Sequence, residues 1–252
     1  MNRSPSRFGP ALAATVLGLA LAGFAPARAG EGVVVNGITE PIKDLTLAFP
    51  MIGVVGTRPL DEGAPIKIGQ VVIELDKQLE QLDVERKRLV RELARAEWER
   101  VKSLAERNSI SVSPEELDKK KAEYDIAKVE HALAEETVAR RVILSPIDGY
   151  VAQFYRDIGE KCEEQQPVVR VVDTRQCFFV GNVDAAAGRS LRLDQPLTVE
   201  IDAGPEPMTV QGVVCYISPV VDPASGLLKF KVLFQNPEGK LRPGVTGRAR
   251  LH

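Results

Sequence analysis

The feature that most constrains this chain is an internal repeat interrupted by a long helical segment. Residues 53–75 set above residues 149–171, an offset of 96, align Gly53 with Gly149, Val55 with Val151, Asp61 with Asp157 and Gly63 with Gly159. Gln70 and Val72 then meet Gln166 and Val168, while Ile73 and Leu75 meet Val169 and Val171. Each copy reads as a glycine, a short apolar strand, an acidic turn closing on glycine, and a second strand after Gln. Gly63 and Gly159 end turns in which a positive φ is least costly for glycine. A copy of ~25 residues is too small to bury a core alone. The two copies are therefore expected to close their apolar faces on each other as a small sandwich. Cys162 aligns with Ile66, which predicts an inward, apolar position for it.

The segment between the copies has helical patterning. No Gly or Pro occurs from Gln78 to Asn108. Leu75, Leu79, Leu82, Leu89, Leu93 and Ala96 follow a four-three spacing, interrupted once by Arg86, which predicts the seam of a coiled coil. A new start follows at Ser113-Pro114-Glu115-Glu116, a capping box with proline at the first helical position. The second helix is expected to run to about Arg141, with Leu117, Ala122, Ile126, Val129 and Leu133 as its apolar stripe. Two helices joined by a few residues lie antiparallel. Each arm of ~30 residues extends about 45 Å. No third long helix is present to receive the pair, so the hairpin is expected to project from the body. A lone helix pair is marginal in water, which predicts further support from partners or from copies of the same chain.

After Asp173 the pattern turns to strands: 178–183, 197–201, 208–217 and 227–234, divided by turns at 194–196, 204–205, 222–223 and 237–239. This spacing suggests a small antiparallel barrel. Ser190 to Leu193, with Ala185–Ala187 before it, reads as one short helix. Val33–Val35 and Leu45–Phe49 read as two strands that return to the barrel.

Composition narrows the function classes. Aromatic residues make up only 5% of the 252, which suits thin modules better than one thick core. The 33 basic and 35 acidic residues give a net charge of −2, so nothing electrostatic points to nucleic acid. Arg3 and Arg7 precede an apolar run from Ala11 to Ala25 and then Ala27-Arg28-Ala29, the pattern of a cleaved secretory signal. The run is short for a membrane span of ~20 residues; the alternative is an uncleaved anchor. No Cys follows the run, which disfavours a lipid-modified N-terminus. Cys162, Cys177 and Cys215 have neither CxxC spacing nor an even count. Secretion would permit one disulfide, with no pair favoured, and the three read as small buried hydrophobes. The two histidines, His131 on the charged hairpin and His252 at the end, have no triad or zinc spacing beside them. No catalytic residue, metal site or cofactor site is expected, and the chain does not read as an enzyme.

Taken in order, these segments resemble the periplasmic adaptor family, the membrane fusion proteins of HlyD and RND-efflux type. The resemblance covers nearly all of residues 33–252. Ile66–Asp76 resembles the family's first lipoyl half and Ile143–Val151 the start of the second. Asn236-Pro237 and Leu241-Arg242-Pro243-Gly244-Val245 resemble its barrel-closing stretch. The fold class implied is α+β: a split lipoyl-like β-sandwich with an inserted antiparallel α-helical hairpin, followed by a small antiparallel β-barrel. The implied division is a signal peptide at 1–29, N-terminal strands joining the barrel at 30–48, lipoyl half 1 at 49–76, the hairpin at 77–142, lipoyl half 2 at 143–174, and the barrel at 175–252.

Arg100, Leu104 and Ser111 match the Arg, Leu and Ser that such adaptors often carry at the hairpin tip to dock TolC-like channels. The resemblance implies that Leu104 packs between channel helices while Arg100 and Ser111 hydrogen-bond there. It also implies an inner-membrane transporter of ABC, RND or MFS type, a hexameric ring of copies, and a periplasmic location. Drug-efflux members carry a further membrane-proximal domain, expected here to be absent or reduced to the first strands. The three Met form no cluster, which disfavours a copper-handling adaptor. Two other readings compete with the adaptor. One is a coiled-coil scaffold without channel docking. The other is a lipoyl or biotinyl carrier modified at Lys77, where a hairpin of more than sixty residues leaves the expected carrier turn.

Overall fold

The computed structural model describes residues 33–107, 112–237 and 239–251. The expected signal segment, the hairpin turn at 108–111 (with Ser111), Glu238 and His252 lie outside the described residues. In chain order the elements are β1 (Val33–Ala48), β2 (Gly53–Thr57), β3 (Pro65–Ile66), β4 (Val71–Leu75), α1 (Gln78–Arg107), α2 (Pro114–Ala139), β5 (Val142–Leu144), β6 (Gly149–Phe154), β7 (Lys161–Cys162) and β8 (Pro167–Asp184). A 3₁₀ turn at Ala187–Ser190, in place of the short helix expected just after it, precedes β9 (Pro196–Ile201), β10 (Met208–Ile217), β11 (Leu227–Gln235) and β12 (Thr246–Leu251).

The two repeat copies meet by reciprocal strand exchange. β2 of the first copy pairs with β7 of the second, Gly53 opposite Cys162 and Val54 opposite Lys161. β3 of the first pairs with β6 of the second, Ile66 opposite Gly149 and Pro65 opposite Tyr150. Shifting either set of pairs by 96 residues generates the other, as a local two-fold requires. The hydrogen bonds obey the same rule. Val55 N–H donates to the Glu160 carbonyl and the Val55 carbonyl accepts from Gly159 N–H, both at 2.9 Å. Val151 N–H donates to the Ala64 carbonyl at 3.0 Å and the Val151 carbonyl accepts from Gly63 N–H at 2.8 Å. The aligned glutamines also do the same work: Gln70 Oε1 accepts from Lys67 N–H at 3.0 Å, and Gln166 Oε1 from Glu163 N–H at 3.2 Å.

Between these strands lies one core. Val55, Ile66, Val72, Ile73 and Leu75 come from the first copy and Val151, Cys162, Val168, Val169 and Val171 from the second. Cys162 is fully buried at the position aligned with Ile66. Burial of each such side chain stabilises by about 1.5–3 kcal/mol, and neither copy can realise this without the other.

The second core is a barrel. Six strands in the order β1-β12-β9-β10-β11-β8 close through pairing of β1 with β8. Leu197, Val199 and Ile201 on β9, Phe230, Val232 and Phe234 on β11, and Ala249 and Leu251 on β12 point inward. Gly37 and Gly181 stand opposite each other in the β1–β8 ladder. A Cβ on Gly37 would lie 2.6 Å from the Phe179 ring, and one on Gly181 2.8 Å from the Phe230 ring. The two glycines thus leave room for the tilted Phe179–Phe230 pair, whose centroids are 6.2 Å apart.

Both cores share their longest strands. β1 is one continuous strand, where the sequence suggests two, and β8 likewise runs from the body into the barrel. The ladder between them is broken at the waist, where Pro41 pairs with Cys177 and Lys43 with Asp173, and again near its end, between Leu47 and Ala48. The bulge absorbs Pro41, which has no N–H to give to a ladder. The stretch after β11 is tied to this waist by two buried polar side chains. Asn236 Nδ2 donates to the Thr174 and Leu241 carbonyls, both at 2.9 Å, and its Oδ1 accepts from Leu241 N–H at 3.1 Å. Thr39 Oγ1 donates to the Val245 carbonyl at 3.0 Å and accepts from Gly244 N–H at 3.2 Å.

Gly63, Gly69 and Gly159 have φ of +82°, +78° and +86°, whereas Gln165, aligned with Gly69, has φ of +58°. No atom stands within 4 Å of a Cβ at any of the three glycines, so backbone conformation alone sets the cost of a side chain. Gly63→Ala and Gly159→Ala are expected to destabilise by about 1–2 kcal/mol each. Gln165→Gly is expected to be neutral or stabilising by up to about 1 kcal/mol. Urea unfolding midpoints check all three.

Candidate functional site: the projecting hairpin

The hairpin leaves the body between β4 and β5, and its base is locked by Arg141. Leu75 N–H donates to the Arg141 carbonyl at 2.9 Å, and the Arg141 guanidinium donates to the Asp76 carbonyl at 2.7 Å and pairs with Glu80. Lys77 pairs with Glu74 at 2.8 Å and stands at the start of α1. A carrier lysine needs a tight exposed turn; here that turn has become a helix start, with its ammonium already engaged. At the far end Ser113 caps α2, its Oγ accepting from Glu116 N–H at 3.1 Å, with Pro114 as the first helical residue.

The rotation imposed at the base overturns the seam expected from sequence. Leu79, Leu82, Leu89 and Leu93 are exposed, Leu79 at 79%. On α2, Ile126, Val129 and Leu133 are exposed as well. The helices meet instead along Val84, Lys87, Arg91, Ala94, Trp98 and Val101 of α1 and Tyr124, Ala127, His131 and Ala134 of α2. This line also has three-four spacing, so α1 carries two heptad registers and periodicity cannot choose between them. Arg141 and Glu80 choose, because they aim the second register at α2.

The seam itself is mixed. Lys87 pairs with Glu130 at 2.6 Å, and Lys120 pairs with both Glu97 at 2.9 Å and Glu123 at 2.8 Å. The Lys120 ammonium hydrogen-bonds Glu97 and holds its carboxyl below the ordinary range. Trp98 and Tyr124 stack at 5.5 Å with 7° between their planes, and Lys102 lies over the Trp98 ring. Lysine and arginine stems cover apolar surface while their heads reach carboxylates.

Arg100 and Leu104 lie one turn apart on the last two turns of α1, both facing solvent, and Leu104 is 47% exposed. Ser111, the third member of the set, lies outside the described residues. The structure therefore brings Arg100 and Leu104 together on one exposed face near the end of the arm. The exposed leucines of α1 and the exposed Ile126, Val129 and Leu133 of α2 were read from sequence as inward-facing. Their regular spacing marks a continuous apolar edge that the seam between the two helices does not cover.

The groups that could carry chemistry have structural surroundings. His131 is 5% exposed in the seam. Burial pushes the Cys177 thiol up to about 11 and raises the Cys162 thiol as well, so these two are poor nucleophiles. The cysteines are free, with Cys162 and Cys177 buried; Cys215 is exposed, against its reading as a buried hydrophobe. Among the described residues no group of three or more His, Cys, Asp or Glu is placed to hold a metal ion, and no helix is long and apolar enough to cross a membrane.

Residues 182–252 match the CusB-like β-barrel domain family. Over 87% of its length the chain superposes on 80% of a MacA–MexA chimeric protein containing the Pseudomonas aeruginosa MexA α-hairpin domain, with a TM-score of 0.78 and 19% identity. It likewise superposes, over 87% of its length, on 98% of the membrane fusion protein Spr0693 from Streptococcus pneumoniae R6, with a TM-score of 0.71 and 14% identity. An uncharacterized protein of Haemophilus influenzae is 28% identical over 223 residues, 86% of this chain; the chain spans 56% of that relative's length. The architecture is that of the membrane fusion, or periplasmic adaptor, proteins. More particularly, residues 182–252, which supply β9 to β12 and the end of β8, are similar to the CusB-like β-barrel domain.

The two registers of α1 make opposite demands on stability. Trp98→Ala is expected to destabilise the monomer by about 2 kcal/mol, through lost stacking and buried area. Leu89→Gln is expected to change it by less than about 0.5 kcal/mol. Urea unfolding followed by circular dichroism at 222 nm, at low protein concentration, separates the two.

Proposed function

We propose that this protein is a periplasmic adaptor of a tripartite efflux or secretion system, joining an inner-membrane transporter of ABC, RND or MFS type to a TolC-like outer-membrane channel. The observation that carries this reading is the free arm: two paired helices anchored at one end to the lipoyl-like body, with Arg100 and Leu104 exposed near the other. α1, at 30 residues, has a reach of about 45 Å. Leu104 supplies an apolar knob and Arg100 a multi-donor head for carbonyls and carboxylates. The protein itself does no chemistry; it positions the conduit.

The exposed apolar edges support assembly into a ring. On α1 the edge is Leu79, Leu82, Leu89 and Leu93, and on α2 it is Ile126, Val129 and Leu133. Each lies opposite its own helix's seam, so the two edges face away from each other. The α1 edge of one copy can therefore meet the α2 edge of the next, a head-to-tail contact that closes into a ring when the rotation permits. Six copies is the number the family resemblance implies. Burial of a leucine contributes about 1.5–3 kcal/mol, and several copies acting together turn a small tip contact into a stable one.

Leu104→Asp is expected to abolish export and channel cross-linking while leaving expression and circular dichroism unchanged. Unchanged export would favour a scaffold that docks no channel. Leu89→Asp combined with Leu93→Asp is expected to lower the assembled fraction at least tenfold in analytical ultracentrifugation, since two desolvated charges cost several kcal/mol.

A further inference from the structure

His131 occupies a position in the hairpin seam where a donor and an acceptor both stand beside one ring nitrogen. It is 5% exposed, between Ala127 and Ala134 on the inward line of α2. An Arg91 guanidinium nitrogen stands 3.1 Å from its Nδ1. A guanidinium only donates and keeps its charge, so Nδ1 must offer a lone pair, and the ring proton belongs on Nε2. The second neighbour of Nδ1 is Glu135 Oε2 at 3.4 Å, one turn further along α2. Glu85, paired with Arg88 on α1, acts on the ring electrostatically from across the seam, and Lys87 of α1 pairs with Glu130, the residue before His131.

We propose that protonation of His131 replaces a bond between the helices with a bond inside one helix, so that mild acid loosens the middle of the arm. With Nδ1 protonated, two N–H donors and two positive charges face each other across the seam, and the Arg91 link is lost. The new N–H donates instead to Glu135, a bond within α2, and only the longer-range attraction of Glu85 reaches the ring from α1. The Arg91 link exists while Nδ1 carries a lone pair and is gone once Nδ1 carries a proton. Lys87–Glu130 below and Trp98–Tyr124 above bound the loosened section. The inference stands on the hairpin alone and holds whatever the tip engages.

Amide hydrogen exchange of the full chain, corrected for the intrinsic pH dependence of exchange, reads the opening directly. Exchange within 87–95 and 127–135 is expected to accelerate about tenfold between pH 7.5 and pH 5.5, the equivalent of one hydrogen bond to a charged group. The barrel strands are expected to show no such change. His131→Gln, whose amide oxygen can accept from Arg91 at every pH, is expected to pair normally and to lose the response. Nitrogen NMR of the ring, assigned with the same variant, is expected to show the Nε2-protonated neutral tautomer at pH 7.5. A flat response in the unaltered protein, a response that persists in His131→Gln, or a neutral ring protonated on Nδ1 would each overturn the proposal.

Discussion

The reciprocal ladder between the two repeat copies is the constraint on which the rest of the molecule depends. Val55 and Val151 occupy equivalent places in it, each giving and taking one backbone hydrogen bond across the local two-fold. Nearly a hundred residues of chain separate them, and closing so long a loop costs conformational entropy. That cost is met by a core to which both copies contribute in nearly equal share. Once the copies join, the residues between them must leave from one place and return beside it. A helix, a turn and a second helix of similar length satisfy that condition, and the hairpin is its consequence.

The same economy appears at the other end. β1 and β8 run through both cores, so the body and the barrel are joined by two strands. The break in their ladder at the waist is the bulge at Pro41, and it is braced from outside by Asn236 and Thr39. Both side chains are buried and hydrogen-bonded, which is the condition under which a polar group inside a protein costs little. The barrel-closing stretch thus also fastens the waist, and barrel and body act on each other through backbone.

The arm carries the functional interest because it is underpacked by design of its sequence. Its seam is narrow, part aromatic and part ionic, and its larger aliphatic residues lie outside on two opposite edges. A monomeric hairpin gains nothing from leucines so placed; an array of hairpins does. The distal Arg100 and Leu104 are exposed as well, so the residues on which the proposed assembly and the proposed docking rest all lie on the outer surface of α1.

Much of this was legible in the residues. The offset of 96 located both halves of the body, and the aligned glycines and glutamines have the same conformational roles in each copy. Ser113-Pro114 marked the start of α2 to the residue, because a cap is a local interaction. The run of strands after Asp173 announced a barrel. What the sequence could not decide was which face of α1 turns inward, because two heptad registers coexist there and spacing is silent between them. That choice was made by Arg141, Glu80 and Asp76 at the base, residues brought together from opposite ends of the insertion. It exposed the leucines and buried His131 beside Arg91. The order of elements and their type were local properties of the chain; the orientation of the helices about their own axes, and hence which surface is offered to partners, arose only when distant segments met.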